Sequence, residues 1–263
     1  MIKIAVVTGA SGGIGRETAA ILRDKGCKVY DLSRSDNPQE GIAHIRCDVT
    51  DESSVKAAVS QVIEENGRVD ILVSCAGMGI SGAVEFTDPA DSYRQMDVNL
   101  FGTDRIVRAV LPYMRRQRSG RLVMTSSVAG VTPIPFQTWY SASKAAIISY
   151  AMALQNEVRP YGIRVAVVMP GDIKTGFTSA RKKSAEGNEE YSGRIERSVS
   201  KMEKDEQNGL SAAYAGKILA NAALKKRPKP VRSTGFVYSL LCTLVKLLPT
   251  RFAQWVLYQL YAK

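Results

Sequence analysis

The chain has 263 residues, 45% of them hydrophobic, and 36 lysines and arginines against 25 acids give it a formal charge of +11. Four cysteines without Cys-x-x-Cys spacing and a lone histidine, His44, exclude a metal cluster and a histidine-based triad. The basic excess comes without a helix-turn-helix, zinc or aromatic RNA-binding signature, which argues against a nucleic-acid partner. Chains of this size and apolar share bury a substantial core as one unit, so residues 1–263 are expected to form a single domain.

The first element is an apolar run from Ile4 to Val7, a buried strand that breaks at Thr8-Gly9 before reaching the length of a signal-peptide core. A glycine-rich turn and a helical segment at 17–25 follow. Strand-like runs then recur at 28–32, 42–46, 71–74, 121–125 and 164–169, separated by amphipathic stretches at 53–66, 91–118 and 138–159. Such alternation predicts an α/β fold of the Rossmann type, a doubly wound parallel sheet with helices on both faces. Ligands in such folds sit beyond the carboxyl ends of the strands. Gly9 to Gly15, Ala76-Gly77, Ser126-Ser127 and Pro170-Gly171 all follow strands and so converge on one crevice.

Two motifs carry chemistry. In Thr8-Gly9-Ala10-Ser11-Gly12-Gly13-Ile14-Gly15, glycines permit a tight turn while the helix start presents free N–H groups and a positive dipole end, the makings of a dinucleotide-phosphate site. In Tyr140-Ser-Ala-Ser-Lys144, four-residue spacing stacks an ammonium one helical turn from a phenol. The positive charge is expected to lower a pKa that is ordinarily about 10, so that the tyrosine exchanges a proton near neutral pH.

On these residues the chain resembles the short-chain dehydrogenase/reductase family over roughly residues 1–230. The family glycine motif is met by Thr8, Gly9, Gly13 and Gly15, followed in order by Asp48-Val49, Ala76-Gly77, Asn99, Ser126-Ser127, Tyr140 with Lys144, and Pro170-Gly171 leading to Thr175. One departure is Ser74-Cys75, where the family usually shows two asparagines; the backbone contacts of that stretch remain an expectation.

The resemblance implies hydride transfer between the nicotinamide of a bound dinucleotide and a carbonyl carbon. Tyr140 would give its proton to the oxygen, Ser127 would hold that oxygen, and Lys144 would tune Tyr140 and bond the nicotinamide ribose. Asn99 would anchor a water chain. Ser126 competes with Ser127, but the thirteen-residue separation from Tyr140 matches the family for Ser127. Gly9, Ser11, Gly13, Ile14 and Gly15 would hold the pyrophosphate, Asp48 and Val49 would flank the adenine beside Ala76 and Gly77, and Pro170, Gly171, Ile173 and Thr175 would close over the nicotinamide.

Coenzyme choice is read at the end of the second strand, Val29-Tyr30-Asp31-Leu32-Ser33-Arg34. An acid there accepts from a ribose 2′-hydroxyl and repels a 2′-phosphate, whereas serine and arginine donate to the phosphate. The family register puts Ser33 at the deciding position and Asp31 within the strand, so NADP, as NADPH, is the expected coenzyme.

Residues 174–212, rich in charge at Arg181-Lys182-Lys183 and over 186–190, read as a lid over the cleft. Residues 225–263 form a basic and apolar extension; after Glu206 the chain carries nine lysines and arginines and no acid. This ending resembles steroid-, retinol- and long-chain keto-type members and implies an apolar ketone or secondary alcohol. A 3-oxoacyl reductase-like enzyme and a non-catalytic dinucleotide-binding regulator are the alternatives. The extension suits core packing, a cover over the cleft, a subunit contact or, through basic residues beside an amphipathic helix, an anionic membrane surface. Pairing of the long helices would make a homodimer or homotetramer, and cysteine usage suits a reducing cytoplasm.

Overall fold

A computed structural model of the chain describes residues 2–35 and 37–263. Seven parallel strands form one sheet: β1 (Ile4–Thr8), β2 (Lys28–Ser33), β3 (Ile42–Arg46), β4 (Ile71–Ser74), β5 (Gly120–Thr125), β6 (Ile163–Met169) and β7 (Val231–Ser233). Their order, β7-β6-β5-β4-β1-β2-β3, reverses direction at β1 and produces the crevice where such folds bind ligands.

Period-two alternation explains both cores. Val6, Tyr30, Leu72 and Leu122 point to one face, covered by α2 (Glu52–Asn66), α4 (Gly102–Gln117) and α5 (Thr138–Val158). Ala5, Val7, Val29 and Val73 point to the other, covered by α1 (Gly13–Asp24) and α8 (Ala212–Leu224). Strands buried on both sides read as continuous apolar runs, which is why the sequence betrays them. Gly216 lets α8 lie tight on α1, since a side chain there would meet the Glu17 Cβ at 2.8 Å.

Three departures from the sequence expectations have physical causes. The stretch over 91–118 is not one helix: α3 (Pro89–Met96) and α4 flank a π-helical turn, Asp97–Phe101, whose wide backbone accommodates the buried Asn99. The sheet also continues past residue 230, because β7 pairs with β6 in the register Val231↔Val167. Lastly, α1 begins at Gly13, inside the glycine-rich turn.

Residues 174–212 hold α6 (Phe177–Ala180), α7 (Arg194–Gln207) and two short pairings, Ile80–Ser81 with Lys182–Lys183 and Ile173–Lys174 with Leu210–Ser211. The inner face of α7, Ile195, Val199 and Met202, builds a small third core with Ala83 and Phe86. The extension ends in α9 (Phe236–Leu247) and α10 (Thr250–Tyr261). Among the described residues no helix is long and apolar enough to cross a membrane.

Candidate active site

The carboxyl ends of the central strands open into a cleft of about 980 Å³. Every candidate residue named from the sequence lines it except Asn99: the glycine turn with Ser11 and Ile14, Ser33 and Arg34, Asp48 and Val49, Ala76 and Gly77, Ser127, Tyr140 and Lys144, and Pro170, Gly171, Ile173 and Thr175.

At the nucleotide end the surface is mostly backbone. Gly9 and Gly13 have φ of +69° and +53°, and a side chain at Gly15 would run into the Gly9 carbonyl, so the turn needs glycine at these points. The N-cap residue of α1, Gly12, brings no side chain to cap it. By contrast, α2 is capped by Asp51, whose side chain accepts from Ser53 N. The uncapped helix start suits a pyrophosphate, and the residues present therefore fit a bound dinucleotide. Thr8 supports the opposite lip, its hydroxyl accepting from Cys75 N at 3.1 Å and Ala76 N at 3.2 Å. Cys75, at the family's asparagine position, lines the cleft and meets the Thr125 hydroxyl at 3.2 Å, and burial pushes its thiol up to about 11.

Asp31 turns away from the cleft. It is 2% exposed, accepts from Ala10 N at 3.1 Å and from the Ser33 hydroxyl at 3.0 Å, and lies 3.3 Å from His44 Nδ1. Its carboxylate braces the glycine turn from behind, while Ser33 and Arg34 reach the cleft wall. Burial pushes the Asp48 carboxyl up, yet two bonds from Thr50 to Oδ1 and the Arg34 charge together hold it below its ordinary value.

Ser127, Tyr140 and Lys144 meet at the middle of the cleft. Ser126 and Ser127 are told apart by their partners: the Ser126 hydroxyl is buried and donates to the Lys144 carbonyl at 2.7 Å, a structural tie to α5. Ser127 caps the short turn Val128–Gly130 and faces Tyr140, whose pKa it lowers by hydrogen bonding. Burial nevertheless dominates at Tyr140 and pushes the phenol up to about 12. This corrects the expectation of a tyrosine tuned toward neutrality. The lysine is too poorly aimed to do it, because Lys144 Nζ lies 5.7 Å from the ring centroid and donates to the Thr125 carbonyl at 3.0 Å. Burial instead lowers Lys144 itself to about 8. Around neutral pH the site thus holds a protonated phenol, a donor rather than an acceptor, beside a weakly held ammonium.

Asn99 stands behind this group, fully buried. Its Nδ2 donates to the Met78 carbonyl at 3.1 Å and to the Ser143 hydroxyl at 3.0 Å, and its Oδ1 accepts from Met78 N at 2.9 Å. The side chain clamps the loop after β4 against α5.

The far half of the cleft holds residues that no motif announces. The Phe177 ring lies 5.8 Å from that of Tyr140. Arg181, its side chain fully buried, pairs with Glu206 at 2.6 Å, while the Thr178 hydroxyl donates to the other oxygen of that carboxylate at 2.6 Å. Arg181 lowers the Tyr140 pKa, whereas Glu206 and Asp172 raise it. From α9, the Tyr238 hydroxyl accepts from Asp172 N at 3.0 Å and donates to its carboxylate at 2.8 Å. Leu241, Leu244, Val256 and Leu260 line this end with apolar surface. The only sequence signal for these residues was the charge and apolar content of the two segments that carry them.

The sequence profile of the family described as short chain dehydrogenase matches residues 3–186. A protein of Bacteroides thetaiotaomicron named 3-ketodihydrosphingosine reductase is 41% identical over 266 aligned positions, covering 99% of this chain and 98% of that one. Dehydrogenase/reductase SDR family member 7B of Mus musculus is 30% identical over 95% of this chain and 78% of its own. Among solved structures, a short-chain dehydrogenase from Streptomyces avermitilis superimposes with a TM-score of 0.84 at 29% identity, covering 98% of this chain and 96% of that one.

Proposed function

The chain belongs to the short-chain dehydrogenase/reductase family, and on that premise we propose that it uses NADPH to reduce the ketone of a long-chain 3-keto amino alcohol or a similarly apolar carbonyl compound. It is an oxidoreductase acting on CH–OH and C=O groups. The reading rests above all on one juxtaposition: the protonated Tyr140 beside Ser127 stands where the polar nucleotide wall meets the apolar wall contributed by α9 and α10.

The coenzyme, when bound, supplies the hydride. Ser127 donates to the substrate oxygen, and Tyr140 delivers the proton that completes the alcohol as negative charge develops there. With its pKa at about 12, Tyr140 carries that proton throughout the neutral range. Lys144 would hold the nicotinamide ribose, and Asn99 acts as a positioning residue through Met78 and Ser143. Preference for NADPH is supported by the inward turn of Asp31 and by Arg34, exposed at the cleft wall, where a guanidinium suits a 2′-phosphate.

A basic substrate amine is supported by Asp172, which lines the cleft, bonds the neutral Tyr238 and belongs to none of the ion pairs among the described residues. The likeness to a protein named 3-ketodihydrosphingosine reductase supports the same class. For subunit pairing, the exposed small residues Ala142, Ala145, Ser149 and Ala153 on α5 offer a flat face to a second copy, and a monomer by light scattering would refute it.

Reduction of a panel comprising a long-chain 3-keto amino alcohol, its N-acylated form, a 3-oxoacyl thioester and a steroid ketone, each with NADPH and NADH, tests the proposal. The free-amine substrate with NADPH should give the highest kcat/KM. A better turnover of the thioester, or of NADH, would overturn the substrate or the coenzyme assignment respectively.

A further inference from the structure

We propose that α9 and α10 form a docking surface for a bilayer containing anionic phospholipid, with the apolar end of the cleft facing the lipid. The proposal concerns where the protein sits and holds whatever ketone it reduces.

Apart from one exposed stripe of Ser239, Thr243 and Lys246, α9 is apolar, yet the domain covers only part of that apolar surface. Tyr238, Cys242 and Val245 face the domain, yet Val237, Leu240 and Leu247 on the other side are exposed, Leu247 to 76%. On α10, Ala253 and Leu257 are buried while Phe252, Trp255 and Tyr258 are exposed, with the Phe252 and Trp255 rings stacked at 5.9 Å. Most of the exposed large hydrophobic residues of the molecule are concentrated here, and a contiguous patch of this kind marks an interaction surface. Its aromatic content is that of helices lying at a lipid interface.

Charge decides the partner. Lys225, Lys226, Arg227, Lys229 and Arg232 precede the patch, Lys246 and Arg251 lie within it, and no acid follows Glu206. A second copy placed on this face by a two-fold axis would bring like charges together with no carboxylate of the segment between them. An anionic leaflet attracts the same cluster. Spanning is excluded by length: twelve residues of α9 reach about 18 Å, short of a hydrocarbon core of about 30 Å. The inward side chains of these helices, Leu257 among them, also line the cleft, so a substrate tail can pass between lipid and Tyr140 without crossing water.

Flotation of the full chain with vesicles of phosphatidylcholine alone or mixed with phosphatidylglycerol is the test. Binding should be confined to the anionic vesicles, weaken with salt, and fall about fivefold for each basic residue of the 225–232 cluster replaced by glutamine. Leu247→Glu and Trp255→Ser lie at exposed positions, so the fold should survive them while vesicle binding is lost. The proposal is overturned if the wild type stays unbound at low salt, or if Leu247→Glu binds as before. It is equally overturned if Leu247→Glu converts a dimer to a monomer and the wild type does not float.

Discussion

The two halves of the cleft are built from different materials. The nucleotide half is made of backbone: glycines at positive φ, an uncapped helix start, and strand ends held by Thr8 and Asp31. The substrate half is made of side chains carried by α6, α7, α9 and α10, held by an Arg181–Glu206 pair and by Tyr238 on Asp172. A backbone site serves any sequence that keeps its turns, and it recognises the part of the ligand that never changes. A side-chain site can be rebuilt residue by residue, which is how one scaffold reaches many ketones.

Tyr140 lies on the seam, so its removal should have the largest effect and fall on neither half alone. Tyr140→Phe is expected to lower kcat about 10³-fold, the worth of a positioned proton donor, with NADPH affinity measured by fluorescence unchanged. Residual activity above a few per cent would remove the residue from its assigned role.

Next in size is a substitution confined to the substrate half. Arg181→Ala leaves the largely buried Glu206 charge without its cation and should cost about 3 kcal/mol of stability. It should also raise KM for the ketone while sparing KM for NADPH. Because Nε and Nη1 of Arg181 find no hydrogen-bond partner among the described residues, the pair is imperfectly satisfied. Adding Glu206→Gln to Arg181→Ala should therefore restore much of the loss, as thermal denaturation of the single and double variants will report.

In the nucleotide half, Arg34→Asp should shift the ratio of NADPH to NADH efficiency by about 100-fold toward NADH, the loss of charge-assisted donors to a phosphate. The ketone KM measured at saturating coenzyme should not move. If it does, the halves are less separate than the geometry implies.

Lys144 supplies a test that depends on pH. Its folded pKa of about 8 lies below the ordinary 10.5, so below about 8 it is charged in both states and its burial costs the native state in full. The cost fades as pH rises from 8 toward 10.5. Lys144→Met should thus raise stability at pH 7 by about 2 kcal/mol while lowering turnover, less than Tyr140→Phe does. In the wild type, kcat/KM for NADPH should fall above a single ionisation near pH 8 as the ribose loses its ammonium.

The same division accounts for what the sequence disclosed. Turn glycines, apolar runs and the Tyr140–Lys144 spacing follow from local rules, so the sheet, the crevice and the nucleotide wall were legible. Arg181, Glu206, Asp172 and Tyr238 come together only through long-range packing, Asp172 and Tyr238 being 66 positions apart, and nothing local distinguishes them. The phenol pKa failed for a related reason. Four-residue spacing places Lys144 a turn away, but where its ammonium points is set by the Thr125 carbonyl on a strand, and how far both groups are desolvated is set by the whole cleft.

The smallest effect should come from a second side chain that ties the halves together. Tyr238 packs on Gly171, in the segment expected over the nicotinamide, so closely that even a Cβ at Gly171 would collide with its ring. Tyr238→Phe keeps that packing and removes only the hydroxyl, which accepts from Asp172 N and donates to Asp172 Oδ2. A net loss of about 1 kcal/mol is expected in stability, together with a rise of a few fold in KM for both NADPH and ketone, because Asp172 and the backbone beside Gly171 loosen together. A change confined to the ketone would mean that α9 is only a wall. An equal change in both would mean that whatever settles α9 and α10, including a lipid surface, also settles the nicotinamide segment.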